Sequence, residues 1–417
     1  MQIQNIKLEN FRGAKGLELD LHPNVNVFVG VNGAGKSTIL DAIAISLSWL
    51  VEGIQKAEAI GMSIPDESIK NQTNYSSILL EVLENKKHYK WKNIEFERGY
   101  PAKEKSNLSE LNQLAYSYQV EYQKSKTLPM IVYYPINRIA KGIVDIKGSE
   151  SISQLDVYDN ALGSQANFQS FFEWFRLQDD IVNEQYIYNN RDNIYNYKKE
   201  LNLIAQTIEQ FIPKYKNLRV TRIPIPHMLI EKNDETLSLN QLSDGEKNMI
   251  AMVGDIARRL TMANTHLENP LEGDGIVIID EVDLHLHPAW QRVIISKLTE
   301  VFPNCQFIVS THSPQILSHV KAESIFILKQ EDDNISLTKP TESYGKSTDR
   351  QLEDILGVEA RPLEIKEDLH RLFKLIQEMN LDKAKELMDE LENKIEGREV
   401  ELVKANVLIK RKEILGK

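Results

Sequence analysis

The octapeptide Gly30-Val31-Asn32-Gly33-Ala34-Gly35-Lys36-Ser37 restricts what this chain can fold into more than any other feature. It fits G-x-x-x-x-G-K-[ST] and follows an apolar run at 25–29 that reads as a strand. Thr38 and then ILDAIAISLSWLV follow, with Ile39, Leu40, Ile43, Leu47 and Leu50 at helical spacing. A strand, a glycine turn and a helix in that order curl backbone N–H groups around a phosphate and aim a helix N-terminus at it. Lys36 then becomes the candidate partner of the terminal phosphates, and the Ser37 hydroxyl the candidate ligand of Mg²⁺. A chance glycine turn carrying Lys-Ser would lack the flanking strand and helix. An α/β fold is expected, with the loop at a strand end.

Three further segments suit the same chemistry. GIVIIDE at 275–281 is an apolar strand ending in two carboxylates, Asp280 to hold the metal and Glu281 to polarise an attacking water. Read alone, it is equally a core strand with solvated acids at its end. Ser243-Asp244-Gly245-Glu246 opens a helix expected at 245–262, where Ser243 and Gly245 offer a hydroxyl and a close backbone approach to a phosphate. Ser243 and Glu246 also have the S-x-x-E spacing of an ordinary capping box. Ser310-Thr311-His312-Ser313-Pro314 follows an apolar run at 305–310, which places His312 where ligands bind in open α/β sheets. A lone histidine there is more often structural.

Around these motifs, strands are expected at 3–8, 17–21, 130–134, 218–223 and 227–240, with hairpins turning near 84–87 and within 324–338. Helices are expected at 106–123 and from Ala289. Residues 145–215 are rich in Asn, Gln and Tyr and carry helical runs, so they read as a helical lobe inserted into the core. The expected organisation is a head made of 1–144 and 216–345, the lobe at 145–215, and a charged helical extension at 346–417. In the extension, Leu369, Leu372, Phe373, Ile376, Leu387, Leu391 and Ile395 are the expected core, without a heptad run long enough for a coiled coil.

Together the four motifs, in this order, resemble the ABC-type ATPases, specifically the branch of RecF, SMC and OLD-like proteins. LSDGEK resembles that branch's signature motif, with Asp244 where many members have a second glycine, and KLENFRG with Arg12 before the loop is typical of the branch. The phrases YYPINR, FFEWFRLQDD, DEVDLHLHPAWQ and YGKSTDRQLEDILG are similar to those of anti-phage ATPases, nearest to the PtuA-like subunits of Septu systems. The resemblance implies an ABC ATPase head with a mixed sheet and flanking helices. It implies a Walker A site of Gly30, Asn32, Gly33, Ala34, Gly35, Lys36, Ser37 and Thr38, and Walker B at Asp280 and Glu281. Ser243 and Gly245 become the signature, Asp283 the D-loop, His312 the switch histidine, and Arg12 a residue approaching the phosphates. The implied cofactors are ATP and Mg²⁺. The implied partners are a second copy, two heads sandwiching ATP, and an HNH nuclease of the PtuB kind, with any DNA contact indirect. Gln165 and Gln178 are candidates for the Q-loop glutamine by rough position only.

Charge and composition narrow the alternatives. Against 61 Asp and Glu stand 50 Lys and Arg, a net charge of −11, so the average surface repels a polyanion. Lys86, Lys87, Lys90 and Lys92 interleave with Tyr89 and Trp91, and Lys404, Lys410, Arg411, Lys412 and Lys417 cluster near the C-terminus. Either group could touch nucleic acid; a solvated face also accounts for the first, while the second could also contact a partner or pair with a helix macrodipole. A RecF-like DNA-repair ATPase and a low-turnover nucleotide-gated scaffold therefore stand beside the defence reading. An OLD-type nuclease needs a metal-binding Toprim domain, and the helical extension offers none. His285 and His287 lack the further ligands zinc needs. The single Cys305 excludes a disulfide framework. With no signal peptide and no run of about 20 apolar residues, a cytoplasmic protein without membrane spans is expected.

Overall fold

A computed structural model describes residues 1–125, 127–136, 153–163, 169–187, 191–223, 227–331, 333–397 and 399–415. It divides into two compact units, Met1–Thr348 and Asp349–Lys417.

The first unit begins with β1 (Gln2–Phe11), β2 (Ala14–Asp20), β3 (Val25–Val29), α1 (Lys36–Gln55), β4 (Tyr75–Glu84), β5 (Lys87–Phe96), α2 (Ser109–Ser125) and β6 (Met130–Tyr134). Helices α3 (Gln169–Ile187) and α4 (Arg191–Phe211) precede a meander of β7 (Tyr215–Thr221), β8 (His227–Lys232) and β9 (Glu235–Ser238). The chain continues through α5 (Asp244–Ala263), β10 (Gly275–Ile279), α6 (Pro288–Gln291), α7 (Ile294–Val301), β11 (Cys305–Thr311), α8 (Pro314–Leu317), β12 (Ile325–Glu331) and β13 (Asn334–Thr338). A short α9 (Thr348–Gln351) marks the passage to the second unit.

An antiparallel sheet of order β2-β1-β4-β5 turns Ile3, Ile6, Leu8, Ile78, Leu80 and Val82 inward. A second sheet runs β13-β12-β3-β11-β10-β6, with β12, β3, β11, β10 and β6 parallel and β13 antiparallel at one edge. Strands β3, β10, β11 and β6 are buried throughout, as expected for parallel strands covered on both faces. Helix α1 packs on β1 and β4 and also on β6, β10 and β11, so it is apolar on nearly every side. Contrary to the expectation of no sufficiently long apolar run, α1 is long and apolar enough to span a membrane by length and composition, although 72% of that window is buried inside the fold.

Most expected elements are present, with two local differences. The strand expected at 227–240 is a hairpin, β8 and β9, because Asn233 and Asp234 both take left-handed backbone (φ 50° and 64°) that turns the chain. The helix expected from Ala289 is divided into α6 and α7.

In the second unit, α10 (Leu363–Gln377), α11 (Leu381–Lys394) and α12 (Val400–Leu415) pack around Leu369, Leu372, Ile376, Leu387, Leu391, Leu402 and Ile409. Phe373 and Ile395 sit partly buried at the margin of this core.

Candidate nucleotide site

The strand order β3-β11-β10 decides the site. Three loops leave the same ends of three adjacent parallel strands: the glycine loop after β3, Asp280-Glu281 after β10, and His312 after β11. Open parallel sheets bind ligands at such carboxyl ends.

The glycine loop closes on itself. Ala34 N–H donates to the Val31 carbonyl at 3.1 Å, and Gly35 caps α1 in left-handed backbone at φ 99°. A Cβ on Gly35 would lie 2.3 Å from Ile335 Cδ1, a side-chain end that could shift, so it is the left-handed backbone that favours glycine there. Asn32 and Gly33 are exposed, whereas Ala34, Lys36 and Thr38 are buried. Lys36 Nζ donates to the Gly30 carbonyl at 3.0 Å and the Val31 carbonyl at 3.2 Å, which points the ammonium into the loop. Burial lowers its pKa, partly offset by the charges of Asp280, Glu281 and Asp283.

Opposite the loop, the Ser37 hydroxyl donates to Asp280 Oδ2 at 2.7 Å. Ser310 links the Asp280 carboxylate to the Glu281 backbone. Its Oγ accepts the Glu281 N–H at 2.7 Å while its hydroxyl donates to Asp280 Oδ1. Glu281 itself has φ 49°, a left-handed conformation unusual outside glycine and typical of functional turns. Thr311 Oγ1 donates to Asp283 Oδ1 at 2.5 Å, and His312 Nε2 lies 4.0 Å from Glu281 Oε1. Burial and then the nearby Lys36 charge lower the His312 pKa below its ordinary 6.5, against the carboxylates around it. The imidazole is therefore mainly neutral at pH 7.

Lys36, Ser37, Asp280, Glu281, Asp283 and His312 thus form one neighbourhood. Ser243 and Gly245 stand apart from its hydrogen bonds, at the start of α5. Ser243 caps that helix reciprocally with Glu246, so the capping-box geometry is present. A Cβ on Gly245 would stand 2.1 Å from the His285 carbonyl oxygen, so the turn that opens α5 abuts the segment after Asp283. Arg12, expected near the phosphates, donates from Nη1 to Asp41 Oδ2 at 2.5 Å and from Nε to Ser68 Oγ at 3.2 Å. Tyr133 donates to the other Asp41 oxygen at 2.7 Å, which ties β1, α1 and β6 together beside the loop. Gln178 is buried on α3 with its Oε1 unpaired. Gln165 lies outside the described residues.

The other candidate sites take ordinary roles. His287 Nδ1 accepts the Ala289 N–H at 3.2 Å and caps α6. Among the described residues no group of three or more His, Cys, Asp or Glu side chains gathers to hold a metal. On β5, Lys90 and Lys92 pair with Glu81 and Glu104 at 3.8 and 3.3 Å. Trp91 is buried, its indole N–H bonded to Ser46 Oγ at 2.8 Å, and so cannot stack on a base. Sequence reasoning left Ser310, Asp41 and Tyr133 unassigned. Ser310 stood within the quoted run before His312, but its role needs the knowledge that β11 lies between β3 and β10.

The fold is that of SMC head domains, with a glycine loop between the first strand of the parallel sheet and its helix. The structure described as "Crystal structure of the SmcHead bound to the C-winged helix domain of ScpA" matches at a TM-score of 0.51 and 16% identity, over 81% of this chain and 98% of that chain. The chain belongs to the family described as "AAA domain, putative AbiEii toxin, Type IV TA system", whose model matches residues 25–318. It is 31% identical to the Retron Ec83 probable ATPase of Escherichia coli, over 91% of this chain and 79% of that protein. Similarity to the Septu protein PtuA of Bacillus mycoides (strain KBAB4) is lower, 26% over 81% of this chain and 42% of that protein. The expectation that PtuA-like subunits are nearest is thus not met: the chain is similar to PtuA, but the retron ATPase is the more similar of the two.

Proposed function

We propose that this chain binds ATP with Mg²⁺ at the glycine loop and hydrolyses it, as the ATPase subunit of a prokaryotic anti-phage defence complex. The observation that carries this reading is the convergence of Lys36, Ser37, Asp280, Glu281 and His312 at the ends of β3, β10 and β11. Ser37 Oγ and Asp280 Oδ2 are hard oxygen donors 2.7 Å apart, a set suited to Mg²⁺. When bound, that ion neutralises phosphate charge.

The chain's own residues then divide the work. Lys36 exchanges its bonds to the Gly30 and Val31 carbonyls for phosphate oxygens. Glu281, its amide fixed by Ser310, orients the attacking water and accepts its proton. Neutral His312 presents a hydrogen-bonding nitrogen beside that carboxylate. Ser243 is exposed and outside its own chain's cluster, which supports a role at the nucleotide of a second head, with Gly245 and Asp283. In this reading two heads sandwich ATP, Arg12 leaves Asp41 for the phosphates, and the nucleotide state controls a partner nuclease of the HNH kind.

Steady-state phosphate release tests the activity. Wild-type chain should release phosphate from ATP and Mg²⁺, and Lys36→Ala should not. Equal rates for both would overturn the reading. One observation favours a slower, scaffold-like variant of the same idea: the Ser243 hydroxyl donates to Glu246 of its own chain at 2.9 Å.

A further inference from the structure

Glu246 does more than cap a helix. Its Oε2 accepts the Ser243 backbone N–H and the Ser243 hydroxyl, each at 2.9 Å. Its Oε1 accepts Lys232 Nζ at 2.7 Å and the Tyr215 hydroxyl. A capping box explains the first of these contacts and none of the others. Tyr215 and Lys232 stand opposite each other across β7 and β8, with the ammonium 5.4 Å from the ring centre. One carboxylate is thus the joint between the signature turn and the three-stranded sheet. Burial favours its neutral form, but the hydrogen bonds from Lys232, Tyr215 and Ser243 outweigh this and hold the carboxyl at about 2. It is a fixed anion at any working pH.

The Ser243 hydroxyl has one proton, and here that proton is given to Glu246. It can be offered to a phosphate oxygen only when the hydroxyl turns away from the carboxylate. How strongly Glu246 holds it depends on how much of the carboxylate's charge is engaged by Lys232 and Tyr215, since the same anion serves both sides. We propose that Glu246 is a positioning residue through which Tyr215 and Lys232 of the β7–β8 sheet set the presentation of Ser243 to the nucleotide held by a second head. This rests on the reading of Ser243 as a nucleotide contact given above. Movement of the sheet would then tune turnover without touching the glycine loop.

The test uses the full chain with Lys232→Met, Tyr215→Phe, Lys232→Arg and Ser243→Ala. Lys232 is the safer probe because its side chain is 30% exposed, and melting curves check that each variant folds. Without Lys232 or Tyr215 the carboxylate draws more strongly on Ser243. Turnover at saturating ATP should fall about tenfold, the scale of one hydrogen bond to a charged group. The protein concentration needed for half-maximal turnover should rise, while affinity for a fluorescent ATP analogue at the chain's own loop stays unchanged. Lys232→Arg should restore turnover. A merely structural role would lower the melting temperature and leave both turnover and its concentration dependence in place, and that result overturns the proposal. Ser243→Ala separates the two levels. If it abolishes turnover while Lys232→Met and Tyr215→Phe leave it intact, only the inference fails. If Ser243→Ala is itself silent, the signature reading fails and the inference with it.

Discussion

Ser310→Ala removes a side chain that touches no ligand in the proposed reaction, yet it should slow that reaction severely. Ser310 is fully buried, and its one oxygen serves two bonds, accepting the Glu281 N–H at 2.7 Å and donating to Asp280. Losing the neutral amide contact costs about 1 kcal/mol, and losing the carboxylate contact about 1.5–3 kcal/mol. In the proposed reaction both bonds position residues that act at the transition state, the Asp280 carboxylate on the metal and, through its backbone, Glu281 on the water. Glu281 also holds a left-handed backbone (φ 49°) that this amide contact braces. If most of roughly 3 kcal/mol is expressed in the barrier, kcat falls about a hundredfold, at ~1.36 kcal/mol per decade. The KM for ATP should change little, because Lys36 and the glycine loop are untouched. Initial rates over an ATP series, with melting curves to confirm folding, measure this split. A kcat within about threefold of wild type, in a folded variant, would refute the claim that Ser310 fixes the Asp280 carboxylate and the Glu281 backbone for turnover.

Other consequences are as specific. Asp255 is buried between Arg258 and Arg259, with Arg258 Nη2 at 2.6 Å, Arg259 Nε at 2.8 Å and the Tyr134 hydroxyl at 2.8 Å. Asp255→Asn should therefore destabilise the fold by about 3–5 kcal/mol, read as a lowered denaturation midpoint. Although burial opposes ionisation, the two arginines hold this carboxyl below its ordinary 3.8. The stabilisation is complete above that value and is lost as pH falls through the folded-state pKa, so the Asn variant should show a weaker acid-dependent loss than wild type. Gly245→Ala drives a Cβ to 2.1 Å from the His285 carbonyl and should cost about 1–3 kcal/mol in melting experiments while lowering turnover. Because His312 titrates below 6.5, turnover should be level around pH 7 and decline only at more acidic pH. Replacing His312 by Gln should flatten that limb.

The site was legible in the sequence where chemistry is local. Gly30 to Ser37 carries its meaning in spacing alone, and the apolar strand before Asp280-Glu281 and the run before His312 show where each group is delivered. The order β3-β11-β10 is a long-range pairing that no local pattern encodes, so Ser310 went unassigned although it stands two residues before His312. Asp41 was hidden for a similar reason: it looks like a solvated helix residue until β1 and β6 bring Arg12 and Tyr133 to it. On β5 the alternation of lysines with Tyr89 and Trp91 was ambiguous, because a half-buried strand and a nucleic-acid surface share that pattern. Burial of Trp91 against Ser46 decides for the strand. The break at Asn233-Asp234 was readable as turn chemistry but was overridden by the apolar run around it.

Nucleotide retention by Glu281→Gln tests the central claim most directly. The variant keeps Lys36, Ser37 and Asp280 and removes only the group proposed to take the water's proton. Incubated with ATP and Mg²⁺ and then desalted, it should retain ATP in uncleaved form and migrate at the mass of paired chains, while wild type retains little and releases phosphate. Release of phosphate by Glu281→Gln at the wild-type rate, or its failure to retain ATP while remaining folded, would contradict the assignment of this site as an ATPase centre.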